Sequence, residues 1–149
     1  MKIVLQNVLK ASVEIDGKTF NEIDKGYLLL ASFTNGDNFE KCSRLARKIS
    51  KLRVFMEENF KTNKSIFDVN GSILSISQFT LYADLKKGNR PSFINYCLEP
   101  SKAKELYLFF NEELRNLGLE VKEGIFGADM KVCLINDGPF TLILDSEEL

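Results

Sequence analysis

The chain has 149 residues, of which 44% are hydrophobic and 28% charged, with a formal net charge of −1. That is the length of about one domain and an ordinary globular composition, with no bulk attraction for nucleic acid or membrane. It contains no histidine, which excludes a Ser-His-Asp triad, a Cys-His dyad, an imidazole base and every His-ligated metal site.

In chain order, Lys2–Leu9 is nearly all apolar, as expected of a strand covered on both faces. Ser12–Ile15 alternates, Asp16-Gly17 signals a hairpin turn, and Lys18–Phe20 returns. After Gly26, Tyr27–Phe33 is a second apolar strand, broken by Asn35-Gly36-Asp37-Asn38. A helix is predicted over about residues 39–57, capped by Asp37 with Glu40 reaching back. Cys42, Leu45, Ala46, Ile49, Leu52 and Met56 recur on it at helical spacing. Its other face carries Lys41, Arg44, Arg47, Lys48 and Lys51, with no acid between Lys41 and Arg53. Such a stripe is either a solvated face or a run of phosphate contacts.

Residues 59–71 read as a polar loop, and Ser72–Leu81 as an alternating strand. Lys86-Lys87-Gly88-Asn89-Arg90-Pro91 is an exposed basic loop. A second helix starts at Pro100-Ser101, places Ala103, Leu106, Tyr107, Phe110, Leu114 and Leu117 on one face, and stops at Gly118. Strands follow near Leu119–Phe126, Met130–Ile135 and Phe140–Leu144, with Asn136-Asp137-Gly138-Pro139 as a turn between the last two. There are no repeats, low-complexity tracts or linkers, so one α/β domain is expected over 1–149. Its layers would run α/β/β: two helices on one face of a mixed sheet and a second layer of strands on the other.

No apolar run approaches the length of a membrane span, and Met1-Lys2-Ile3-Val4-Leu5 lacks a signal-peptide layout, so a cytoplasmic location is expected. Cys42, Cys97 and Cys133 are far apart, form no metal pair and read as small buried hydrophobes. No phosphate-cradling glycine motif appears. Any catalysis must therefore use backbone groups, hydroxyls, amides, carboxylates or the substrate itself.

Two stretches have the means. Ser77-Gln78-Phe79-Thr80 is either a cross-strand hydroxyl pattern around a core Phe79 or the lining of a small polar pocket. Thr80 has no base beside it in sequence, which disfavours a nucleophile. Gly138-Pro139 is either a plain turn or a rigid, side-chain-poor bend able to enter a narrow pocket and present backbone carbonyls.

With their neighbours these blocks resemble the D-aminoacyl-tRNA deacylase family from end to end. The resemblance is carried by Ala11-Ser12-Val13 with Asp16-Gly17, by Leu52-Arg53-Val54-Phe55, and by Ser77-Gln78-Phe79-Thr80-Leu81-Tyr82-Ala83-Asp84. It continues through Lys87-Gly88, Arg90-Pro91-Ser92-Phe93, Gly124-Ile125-Phe126-Gly127-Ala128-Asp129-Met130 and Asn136-Asp137-Gly138-Pro139-Phe140-Thr141. It implies ester hydrolysis of D-aminoacyl-tRNA, and of glycyl-tRNA, with L-aminoacyl-tRNA spared. It also implies a homodimer with active sites at the subunit interface, and no cofactor, metal or membrane.

Under this resemblance Ser77 and Phe79 bind the aminoacyl end, and Gln78 and Thr80 stand at the reacting centre. Gly138 and Pro139, joined by a cis bond, would enter from the other subunit. The substrate's terminal 2′-hydroxyl would help activate water. The basic stripe and loop, taken as phosphate contacts, would set Arg44, Lys48, Lys51 and Lys87 against tRNA. The competing reading is a non-catalytic tRNA- or aminoacyl-ligand-binding dimer of the same fold. The chain departs from the family twice. Gln6-Asn7-Val8 stands where Gln-Arg-Val is usual, and that arginine is thought to hold the Gly-Pro bend, so another donor is expected to do so here. Lys61-Thr62-Asn63 stands where Lys-Met-Asn is usual, an expected change in the pocket wall.

Overall fold

The long apolar opening of the chain becomes the strand on which the rest of the sheet is built. A computed structural model describes residues 1–58, 61–94 and 98–149. In it β1 runs unbroken over Lys2–Ile15, joining two stretches that the sequence separates. Along one edge it pairs antiparallel with β2 (Lys18–Ile23) and β3 (Gly26–Ser32). β3 pairs in parallel with β6 (Ser72–Ser77), and β6 in parallel with β7 (Val121–Glu123). Along its other edge β1 carries β8 (Lys131–Asp145), from Lys2↔Asp145 to Glu14↔Lys131.

β1 serves two cores. Ile3 and Leu5 join Tyr27, Leu29 and Ala31 against the helices α1 (Phe39–Ser50) and α2 (Pro100–Asn116), where Leu45, Ile49, Leu106, Phe110 and Leu114 are fully buried. Past Asn7 the strand changes allegiance. Val8, Ala11 and Val13 meet Leu28, Leu74 and Ile76 from the opposite face of β3 and β6, with Val132 and Leu134 of β8 packed alongside. The second β layer is thus the same sheet coiled back on itself, as right-handed twist favours in a long strand. The α/β/β layering expected from the sequence is present, with a small separate sheet of β4 (Arg53–Met56) and β5 (Thr62–Ser65) added. Tyr27 stacks on Phe55 at 5.0 Å and ties that small sheet to the main core.

Several boundaries differ from the sequence reading, each for a physical reason. The first helix ends at Ser50, not 57, because Val54 and Phe55 are both buried by pairing with β5, inside what reads as a polar loop. Met56, assigned to the helix by periodicity, is 53% exposed on β4. The helix cap is Asn38, whose side chain accepts from Lys41 N at 3.0 Å. Asp37 is instead buried, bound to the amino group of Met1 and accepting from Thr34 N at 2.7 Å. The second helix starts and stops as expected, with Glu99 accepting from Ser101 N at its head and Gly118 at φ +92° past its end.

β6 stops at Ser77, and Phe79–Tyr82 winds into a 3-10 turn, so Thr80 is not a strand residue. β7 is three residues long because Ile125–Ala128 closes a turn, Ala128 N donating to Ile125 O at 3.1 Å. The last two predicted strands are one. Asn136–Pro139 is a bend inside β8 and not a turn between partners, since both halves pair with β1.

Candidate active site

The parallel strands β3 and β6 end side by side, and a cavity of about 310 Å³ opens at their C-terminal ends. Ala31, Ser32 and Phe33 form one wall, Ile76 to Phe79 another, and Phe126 to Met130 the third. Gln78 is pinned by its backbone N–H to Ala31 O at 2.7 Å, and its side-chain amide donates to Thr80 Oγ1 at 2.5 Å. Ser77, Gln78 and Phe79 therefore line the cavity as the sequence suggests, while Thr80 stands behind Gln78 on the exposed turn. Phe79 is no core residue: it is 61% exposed, its ring 4.9 Å from that of Phe93 at the rim. The 3-10 turn has no side-chain cap, so the amides that open it, at Phe79 and Thr80, are the orphan donors of a helix start.

The sequence reading missed Ser32. It lies on the cavity wall, 1% exposed, and its hydroxyl has no partner. Only its position at the end of an apolar strand, beside a break, could have marked it.

The third wall is anchored by buried polar groups. Gly124 N and Tyr107 Oη both donate to Ser75 O, at 3.1 and 2.8 Å. Asn111 donates to Glu123 Oε2 at 2.5 Å, Arg115 to Glu123 Oε1 at 3.1 Å, and Asn21 to Glu123 O at 2.7 Å. Burial pushes the Tyr107 phenol up to about 12, so it stays a neutral donor in the working range of pH. Thr62 and Asn63 lie on β5 and Lys61 just before it, and none of the three lines this cavity, so the expected change in its wall is not made within one chain.

Gly138 and Pro139 lie elsewhere. Their peptide bond is cis, Gly138 has φ +122°, and both are exposed on the bend of β8. Neither lines the cavity of its own chain. Asn7 does not support the bend with its side chain, which donates to Val54 O at 2.6 Å on β4.

The basic stripe is smaller than the sequence suggests. Lys41 is bound to Glu147, and Arg44 donates to Ser146 O at 2.5 Å. Arg47 and Lys48 remain on the exposed face of α1, with exposed Lys51 at its C-terminal cap. Lys86, Lys87 and Arg90 are exposed on a loop closed by the Asp84↔Ser92 bridge. Cys42 is buried, its thiol pushed up to about 12 by that burial. Cys133, expected to be buried, is exposed because it occupies an outward position of β8, and Cys97 lies outside the described residues. Among the described residues no cluster of three or more acidic or sulfur side chains could hold a metal ion.

The family model for D-Tyr-tRNA(Tyr) deacylase matches residues 4–145. The chain belongs to that family. It is 55% identical over 145 residues to the D-aminoacyl-tRNA deacylase of Lactobacillus acidophilus, covering 97% of this chain and 99% of that one. It is 50% identical over 147 residues to the D-aminoacyl-tRNA deacylase of Bacillus cytotoxicus, covering 99% and 100%. Among solved structures, one described as "c-Myc DNA Unwinding Element Binding Protein" superposes with a TM-score of 0.89 at 38% identity, covering 97% of this chain and 98% of that one. A "probable eukaryotic D-amino acid tRNA deacylase" shares the fold with a TM-score of 0.82 at 16% identity, covering 96% and 97%. The chain is therefore a hydrolase acting on aminoacyl-tRNA, and the family match spans both the cavity and the Gly138–Pro139 bend.

Proposed function

We propose that this deacylase hydrolyses D-aminoacyl-tRNA as a cytoplasmic homodimer, the Gly138–Pro139 bend of each subunit entering the Ser77–Phe79 cavity of the other. One observation carries the reading: the two halves of the family pattern are both well formed and do not meet within one chain. β8 pairs with β1 on one side only, and Ile135 and Ile143 stand 47% and 75% exposed on it. An edge strand with exposed apolar residues invites a second copy.

Within such a dimer the bend offers backbone carbonyls to an ammonium group and no side chain that could adapt. A Cβ in the L direction meets rigid backbone, whereas a D residue or glycine does not, so discrimination is steric and glycyl-tRNA is cleaved too. The free amides at Phe79 and Thr80 face the developing oxyanion, Ser77 and Phe79 hold the aminoacyl end, and Gln78 keeps the Thr80 hydroxyl in place. Thr80 has no base, so the substrate's 2′-hydroxyl activates the water. Arg47, Lys48 and Lys51, joined by Arg44 and Lys87, meet tRNA phosphates.

The test is hydrolysis of D-tyrosyl-, glycyl- and L-tyrosyl-tRNA by the purified protein. Loss of the first two esters and survival of the third is expected. Binding of D-tyrosyl-tRNA without turnover would make the chain a ligand-binding dimer instead. Thr80→Ala should lose less than about tenfold in turnover, roughly 1.4 kcal/mol of barrier. A substrate ending in 2′-deoxyadenosine should lose far more.

A further inference from the structure

Opposite the bend, β1 and β8 fall out of step. Gln6 pairs with Thr141 and Val8 with Asn136, so between these pairs β1 contributes Asn7 alone while β8 contributes residues 137–140. A ladder cannot satisfy that imbalance, and carbonyls on both strands lose their regular partners. The side chain of Asn136 takes up two of them. Its Nδ2 donates to Asn7 O at 3.1 Å across the strands and to Phe140 O at 3.1 Å across the bend. Both partners are carbonyl oxygens, so only the NH₂ end of the amide can face them, and both of its hydrogens are used. One planar group thus joins Asn136, just before the excursion, to Phe140 at its end and ties both to β1.

The neighbouring side chain cannot do this, since Asn7 is turned away to Val54 O. Gln6 adds a rung beyond the bend, donating to Thr141 Oγ1 at 3.2 Å. Among the described residues nothing comparable reaches Gly138 or Pro139 themselves, which are exposed. The aim of the bend is therefore set at its base.

We infer that Asn136 is a positioning residue for selectivity: its side-chain amide fixes the direction in which the Gly138–Pro139 carbonyls project. This rests on the proposed role of the bend in the partner's cavity. Without the amide, residues 137–140 can swing on two unsatisfied carbonyls, and the steric rejection of an L side chain, which requires a rigid wall, weakens first. Cavity residues and tRNA phosphate contacts are untouched, so affinity for uncharged tRNA, which has no ammonium to clasp, is conserved.

Asn136→Asp tests this on the full-length protein. The carboxylate keeps the size and shape of the amide but replaces both donors by acceptors aimed at carbonyls. Rates on D- and L-tyrosyl-tRNA are measured with Asp37→Asn, a destabilising change at the far side of α1, as a stability control. The expected result is a rise of about tenfold in the L-to-D ratio of kcat/KM for Asn136→Asp, the fold-change of roughly 1.4 kcal/mol, with affinity for uncharged tRNA unchanged. Asn136→Ser, with one donor, should recover part of the selectivity, and Asp37→Asn should leave the ratio at its wild-type value. Wild-type selectivity in Asn136→Asp would overturn the inference. Hydrogen exchange supplies a readout independent of turnover: the amides of Gln6, Val8 and Thr141, the ladder residues that flank the break, should exchange faster in Asn136→Asp while β3 and β6 stay protected. If the wild-type protein fails to cleave any D-aminoacyl-tRNA, the functional reading falls, and the exchange result still decides whether Asn136 holds the bend. Unchanged exchange there would overturn it on its own.

Discussion

The cavity and the bend, the two halves of the proposed site, are held in opposite ways. The cavity walls are the ends of buried parallel strands: Leu29, Ala31, Ile73 and Ile76 lie beneath them at 2% exposure or less, and Tyr107, Gly124 and Glu123 tie the third wall down through several bonds. The bend is exposed, crosses a break in the β1–β8 register, and is closed at its base by one side-chain amide. Support by burial is redundant, because many contacts share it. Support by one polar group is not. Under the proposed function the fold would separate its stability from its selectivity: changes near the cavity should mostly cost stability, and changes at the bend should mostly cost function.

The largest expected effect comes from breaking the cavity half at its root. Gly26 has φ +157°, and a Cβ there would stand 1.8 Å from Ser72 O, on the strand that leads to Ser77. Gly26→Ala should separate β3 from β6 and cost more than about 4 kcal/mol, at the extreme end for a point change. Circular dichroism should show little folded protein; a stable, cooperatively unfolding variant would contradict the reading.

Alkaline pH should weaken the same half more gradually. Cys42 and Tyr107 keep their protons to about 12 in the folded chain, both raised first of all by burial, against ordinary values of 9.0 and 10.0. The folded pKa values lie above the unfolded ones, so stability is full below pH 9 and falls as pH rises from there towards 12. Each group should contribute a slope of about 1.4 kcal/mol per pH unit once it titrates only in the unfolded chain. Urea midpoints between pH 8 and 11 measure this, and Cys42→Ala should flatten the first part of the fall. At pH 8 the buried Cys42 of the native protein should resist iodoacetamide.

The bend should show the reverse balance. In Gly138→Ala the new Cβ would lie 3.0 Å from Phe140 N at a φ of +122°, strain of about 1–2 kcal/mol on an exposed segment. The melting temperature should move by a few degrees only, while hydrolysis of D-tyrosyl-tRNA drops at least about tenfold. An equal loss in both would mean that the two halves are not separable.

The smallest effect on stability is expected from Arg47, Lys48 and Lys51. They are exposed, so replacing all three by Ala should shift stability by no more than about 0.5 kcal/mol in total. tRNA binding should weaken and lose part of its salt dependence. Adding Arg44→Ala should cost some stability as well, because Arg44 also holds Ser146 O. Unchanged tRNA binding in the triple variant would leave the stripe a solvated face.

Much of this was legible in the residues. Apolar runs and turn signals fix where strands begin, since burying both faces of a strand demands such runs, and the spacing Leu106, Phe110, Leu114 fixes the buried face of α2. The lack of histidine restricts the chemistry to backbone, hydroxyls, amides and substrate, and the order of short motifs points to the family. What the sequence could not decide were matters of partnership between distant segments. Val54 and Phe55 fit a helix or a strand equally well until Thr62–Ser65 pairs with them. Lys41 and Arg44 look free until Ser146 and Glu147, about a hundred residues on, close over them. Asn136 looks like one more turn residue, because nothing local says that its amide meets Asn7 O, 129 positions back in the chain. Local pattern determines which faces must be buried; only the packed chain decides which polar groups find each other, because a hydrogen bond depends on positions within a few tenths of an ångström and sequence spacing does not fix them.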